Sequence, residues 1–80
     1  MEDKGEIRLN QLPVGSLGRI LGLETKGLMR RRLLDLGFVP GTVVETVRRS
    51  PLGDPTAFKI RGALIALRSE EGRQIRVKLL

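Results

Sequence analysis

The stretch "RRRLLDLGFVPGT", residues 30–42, sets three consecutive arginines among leucines and closes with a glycine and a Pro-Gly pair. Guanidinium groups carry a permanent charge and planar donors, so they grip anions or rim an apolar contact. A second compact motif, "SPLGDP" at 50–55, offers a stiff loop. Pro51 and Pro55 restrict the backbone, Gly53 permits unusual dihedrals, Leu52 supplies apolar surface, and Asp54 is suited to cap local N–H groups in an Asx-type turn.

Bond-making chemistry has no comparable candidate. The 80 residues contain no cysteine and no histidine, which removes disulfides, thiolate and imidazole ligands, and every nucleophile–histidine pair. Ser50, Ser69 and Asp54 lack a base, and no Gly-rich phosphate loop precedes a helix, so no catalytic residue and no enzyme is expected. The carboxylates are scattered, with Glu2, Asp3 and Glu6 in an N-terminal group and Glu70-Glu71 in a turn. Ferrous iron favours imidazole and carboxylate clusters, so neither a metal site nor a cofactor is expected.

The elements that must position these motifs can be read from periodicity. Residues 26–36 hold the single helical pattern: at about 100° per residue, Met29, Leu33 and Leu36 form one stripe, with Arg32 on one flank and Arg30 and Leu34 on the other shoulder. Arg31 and Asp35 fall opposite the core at a spacing that allows pairing. The arginines therefore splay around the helix and do not converge on one ion. Leu28 and Leu34 leave apolar area beside them. Thr25 is the expected N-cap. At the other end Gly37 should take a positive φ, with Phe38 packing back on Leu33. Val39-Pro40-Gly41-Thr42 fits a type II turn, Pro40 fixing φ and Gly41 supplying the positive φ.

Elsewhere the pattern is strand and turn. Residues 16–23, 42–47, 56–61, 64–68 and 74–80 are β-branched or alternating, with Ile75, Val77 and Leu79 on one side of the last and Arg76 and Lys78 on the other. Gly18 and Gly22 mark bends or close backbone approach in the first. Short strands joined by Gly-containing turns favour a small closed barrel, since closure removes exposed edges. The expectation is a mainly β single domain over 1–80, of five to six strands with one helix after the first long strand and residues 1–6 frayed. The longest apolar run, residues 63–67, is far short of the ~20 residues of a membrane span. No signal-peptide core is visible at the N-terminus. A cytoplasmic chain without direct membrane insertion is expected. Fifteen Lys and Arg against nine Asp and Glu give a net charge of +6, which attracts acidic partners without naming one.

Taken together, "RRRLLDLGFVPGT", "SPLGDP", "KIRG" (59–62) and "ALIALR" (63–68) resemble the ferrous iron transport protein A (FeoA) family, in order and spacing from about Leu9 to Leu79. The resemblance implies an SH3-like barrel and an accessory role in bacterial ferrous iron uptake. It also implies a partner, the GTP-binding membrane permease FeoB, that the protein docks on and modulates, with location at the inner membrane only through that partner. The same barrel resembles the C-terminal domain of metal-dependent repressors, but no winged helix is expected ahead of it. The expected docking residues are Leu28, Arg31 and Leu34 on the helix and Pro51, Leu52, Gly53, Asp54 and Pro55 in the loop, with Gly37, Pro40 and Gly41 structural and the chain monomeric. The rival reading is a nucleic-acid module using Arg48, Arg49, Lys59, Arg61, Arg76 and Lys78 on phosphates. Only Phe38 and Phe58 could stack on bases, and both read as core, so no nucleic acid is expected as partner.

Overall fold

In the computed structural model, which describes residues 5–80, the alternating segments join one antiparallel sheet. Its strands are β1 (Glu6–Arg8), β2 (Leu17–Leu23), β3 (Val43–Arg49), β4 (Thr56–Ile60), β5 (Ala63–Leu67) and β6 (Ile75–Leu79). They lie in the order β1-β6-β2-β3-β4-β5. Helix α1 (Gly27–Leu36) connects β2 to β3, a 3-10 turn spans Leu9–Gln11, and a one-turn helix α2 (Ser69–Gly72) precedes β6. The inward residues of the strands, Ile20, Val44, Phe58, Ile60, Leu67, Ile75 and Val77, bury together with Leu9, Leu12, Leu33 and Phe38. Burial of this apolar surface, at about 25 cal/mol per Å², is the main favourable contribution to folding.

One expectation about the sheet changes. Barrel closure is not completed by hydrogen bonds: β1 and β5 end the strand order and share no ladder. The three residues of β1 are already paired to β6 through Glu6–Lys78, Ile7–Val77 and Arg8–Arg76. Residue 5 joins that end of the sheet as well, with Leu79 N–H donating to the Gly5 carbonyl at 2.6 Å. Glu2 and Asp3 lie outside the described residues. Leu79 follows Ile75 and Val77 in the β6 alternation but is exposed near the end of the strand.

The register carries two bulges. One lies at Leu21, between the Ile20–Val77 and Gly22–Arg76 pairs, and the other at Val47, between Thr46–Phe58 and Arg48–Ala57. An extra residue reverses the side-chain alternation beyond it. After Val47, Arg48 turns out to solvent, whereas the half-buried Arg49 donates to the Leu12 carbonyl at 3.1 Å and to Thr56 Oγ1 at 3.2 Å. The β4–β5 connection has two central residues, Arg61 (φ 52°) and Gly62 (φ 80°), both positive as a type I′ hairpin requires.

Helix α1 ends as its sequence demands. Gly37 sits at φ 112°, Gly37 N–H donates to Leu34 O and Phe38 N–H to Leu33 O, each at 3.0 Å. This is the paired arrangement of a Schellman stop. The following turn is closed by Thr42 N–H to Val39 O at 3.0 Å with Gly41 at φ 94°. The start differs: Lys26, not Thr25, is the N-cap residue, and no side chain caps the helix. Thr25 Oγ1 lies 3.5 Å from the Lys26 carbonyl, a contact outside the first turn's N–H groups. Stability of this helix rests on its apolar stripe, with Leu33 fully buried and Met29 and Leu36 packed at the core's margin.

Candidate docking surface

The basic helix and the 50–55 loop reach one another through α2. Glu71 carries the link: its Oε1 accepts the Arg68 N–H at 2.9 Å, completing a capping box on α2, and its Oε2 takes Arg32 of α1 in an ion pair. On the other side Asp54 Oδ1 accepts the Ser69 N–H at 2.9 Å. Two carboxylates thus accept the Arg68 and Ser69 N–H groups at the start of α2, where free N–H groups favour negative charge. Asp54 was expected to cap its own loop. Instead it reaches across 15 positions to Ser69, a tertiary contact that spacing within the loop does not reveal.

The loop itself is closed locally. Ser50 N–H donates to Pro55 O at 3.1 Å and Gly53 N–H to Ser50 O at 2.8 Å. Gly53 has φ 88°, and the Asp54–Pro55 peptide is cis. Pro51, Leu52, Gly53 and Pro55 are exposed and Asp54 is half-buried. Leu52 is 94% exposed and Leu28 88% exposed, the two largest exposures among the described large hydrophobic residues. Leu28 lies one helical turn before Arg32, on the flank that α2 ties to the loop.

The remaining helix residues divide. Arg30 and Arg31 are exposed and form no ion pair among the described residues, so the expected Arg31–Asp35 pairing is not made. Leu34 is half-buried. By the helical period it stands about 120° around the axis from Leu28, on the flank away from Arg32, so the structure does not bring it to the loop. Gly37, Pro40 and Gly41 hold the backbone that aims α1 at the sheet.

The strand bases are partly committed elsewhere. Arg76 pairs with Glu6 at 3.2 Å and Glu24 at 2.7 Å, the latter as an ion pair without hydrogen-bond alignment. The Glu6 hydrogen bond, outweighing desolvation and helped by both carboxylates, holds the guanidinium above its ordinary pKa. Gly22 makes room for it: a Cβ there would lie 2.6 Å from Arg76 Nη2. Arg48, Lys59, Arg61 and Lys78 are exposed, while Phe38 and Phe58 are buried at 0% and 1% exposure, so neither phenyl ring is presented for stacking. Among the described residues no group of three or more Asp, Glu, His or Cys side chains gathers as a metal site.

A six-stranded, barrel-like antiparallel sheet with a basic helix and a restrained loop on its surface is the architecture of a small SH3-like domain. Residues 7–79 match the model of the FeoA domain, and the chain belongs to the FeoA family. Among curated proteins it is 35% identical over 74 residues to the Fe(2+) transport protein A/Fe(2+) transporter FeoB fusion protein of Porphyromonas gingivalis, covering 92% of this chain and 9% of that protein. The iron(II) transport protein A of Clostridium thermocellum has the same fold, with TM-score 0.89, 39% identity, and coverage of 92% of this chain and 46% of that one. Stenotrophomonas maltophilia FeoA, described as a prokaryotic SH3 domain protein and complexed with zinc, matches with TM-score 0.81 and 28% identity over 90% of this chain and 89% of that one.

Proposed function

We propose that this domain docks on a FeoB-like permease at its cytoplasmic face and modulates it, as a monomer, with α1 and the 50–55 loop as the contact surface. The observation that carries the reading is the fusion relative, in which a homologous FeoA segment and a FeoB transporter share one polypeptide. Covalent linkage across relatives is what a functional pair would tolerate. The geometry adds a suitable surface: Leu28 and Leu52 are almost fully exposed, the loop is stiff, and Arg30 and Arg31 are free to meet acidic groups. Apolar anchors surrounded by a charged rim supply affinity at the centre and steering at the edge. Pro51, Gly53, Asp54 and Pro55 hold Leu52 in place, and Leu34 lies at the margin.

The test is co-purification with the cytoplasmic part of a FeoB-like permease. Desolvating a leucine contributes about 1.5–3 kcal/mol, so Leu28→Ser and Leu52→Ser should each weaken retention tenfold or more. Arg31→Glu should weaken it and flatten its salt dependence. Lys59→Glu, on a strand, should retain the permease. If only Lys59→Glu matters, or if all four variants are retained fully, the helix–loop face is not the docking surface. Nucleic-acid binding would show the opposite pattern, with affinity falling as strand bases are removed and Leu28→Ser silent.

A further inference from the structure

The sheet has two ends, and they are unlike. β1 is three residues long and charged at both termini, Glu6 and Arg8, features that blunt an edge against pairing. β5 is the uncharged run Ala63–Leu67, with no proline and no bulge in its register to β4. Its inward-facing Ile65 is only half-buried, although its partner Phe58 is 1% exposed, as expected when no strand lies on the far side. The two-residue turn makes Ile60–Ala63 the closing hydrogen-bonded pair, and pairs alternate from there. Phe58–Ile65 and Thr56–Leu67 then exchange bonds with β4, while the N–H and C=O groups of Leu64 and Ala66 point outward. Neither residue makes a backbone bond outside the β4–β5 ladder among the described residues.

A recess joins this edge. On the outer face Arg48, Ala57 and Ala66 lie in one row across β3, β4 and β5, and the two small side chains leave a hollow of about 160 Å³ lined also by Ser50, Pro55 and Thr56. Ser50 Oγ is buried there without a hydrogen-bond partner, and Arg48 is turned to this face by the Val47 bulge. Exposed Arg61 and Arg68 bracket β5 at its two ends. A second copy paired antiparallel about Ile65 would set Arg61 of one chain near Arg68 of the other at both ends. Like charges so placed oppose self-pairing.

We infer that the β5 edge accepts an extended segment of a partner protein as a seventh strand, one with apolar residues at alternate positions and acidic residues at its flanks and opposite the Arg48 recess. Main-chain bonds to Leu64 and Ala66 supply register, Ile65 and Leu64 the apolar contact, and a carboxylate reaching over Ala66 and Ala57 meets Arg48 and the Ser50 hydroxyl. The recess shares Ser50 and Pro55 with the 50–55 loop, but Leu28 and Leu52 lie outside it and the main-chain groups of β5 lie outside the loop, so substitutions at those positions separate the two proposals.

The probe is the nonapeptide Asp-Val-Glu-Val-Thr-Val-Glu-Val-Asp, titrated into the isotope-labelled domain, with the same peptide carrying lysine at each acidic position as control. Amide shifts centred on Leu64 and Ala66, saturating only with the acidic peptide, are expected. Arg48→Ala should weaken binding about tenfold, the size of one charge-assisted hydrogen bond. Ala66→Pro, which removes an outward N–H and no ladder bond, should abolish binding; should that variant not fold, Leu64→Pro removes the other outward N–H and serves the same purpose. Leu28→Ser should bind unchanged. Absence of shifts at millimolar peptide, equal binding of the lysine peptide, shifts away from β5, or retained binding in the edge variants would overturn the inference. So would protection of the Leu64 and Ala66 amides that grows with concentration of the free domain, which would give the edge to a second copy.

Discussion

Replacing Gly37 with alanine isolates one backbone requirement. Gly37 has φ 112°, where a residue with a Cβ is strained by roughly 1–2 kcal/mol. The value lies well beyond the ~57° of an ordinary left-handed residue, so the upper half of that range applies. No steric surcharge is expected: an added Cβ would meet Arg61 Cδ at 3.6 Å and Ile60 Cγ2 at 3.7 Å, both ordinary contacts. Rotating φ to relieve the strain would break the Leu33 and Leu34 carbonyl bonds that end α1 and displace buried Phe38. For a domain of this size 1 kcal/mol is about 4–8 °C of melting temperature, so Gly37→Ala should lose about 6–16 °C in calorimetry. Gly37→Asn, which tolerates positive φ better, should lose less. An alanine variant melting within ~2 °C of the parent would refute the cap argument, since nothing nearby offers compensation.

Gly22→Ala should cost well under ~1 kcal/mol, because the atom a Cβ would approach at 2.6 Å, Arg76 Nη2, is the far end of a flexible side chain that can shift; a larger loss in denaturant melts would show that the Glu6 and Glu24 pairs hold the guanidinium fixed. Thr46→Val should stabilise by about 1 kcal/mol, because Thr46 Oγ1 is buried without a partner and its desolvation is then avoided; a loss of stability would show that the hydroxyl is bonded in solution. Asp54→Ala should cost about 1 kcal/mol, the usual worth of a helix cap, and accelerate hydrogen exchange at the Ser69 amide, while leaving the Arg68 amide, held by Glu71, less affected.

The parts of the molecule that sequence made legible are those in which one residue meets a local demand. Gly37 and Pro40-Gly41 mark the end of α1 because few other residues accept those dihedrals, and Met29, Leu33 and Leu36 mark its buried face because the period is local. Gly22 signalled close approach, and Arg76 is what approaches. What escaped depends on partners distant in sequence. β1 is a strand only because β6 lies beside it, and its three residues carry too short an alternation to stand out. The bulges at Leu21 and Val47 are relations between two strands, so no single run contains them, and the outward turn of Arg48 and inward turn of Arg49 went unseen with them. The same holds for the candidate docking surface: its loop and helix were identifiable, and the separation of Leu34 from Leu28 follows from the helical period, but the Arg32–Glu71 and Asp54–Ser69 contacts that join loop and helix needed the fold.

The Gly5–Leu79 bond bears on how the chain can be rewired. Because the first and last described strands are neighbours, a short linker can join them, and a circular permutant can be opened between Leu52 and Gly53 where the surface is fully solvated. The sheet order survives such a cut, since every strand pair lies outside the opened loop, while the loop loses the covalent continuity that restrains Leu52. A permutant that folds normally yet loses the permease would show that recognition needs the loop's stiffness as well as its side chains; one that binds as before would assign recognition to the side chains alone.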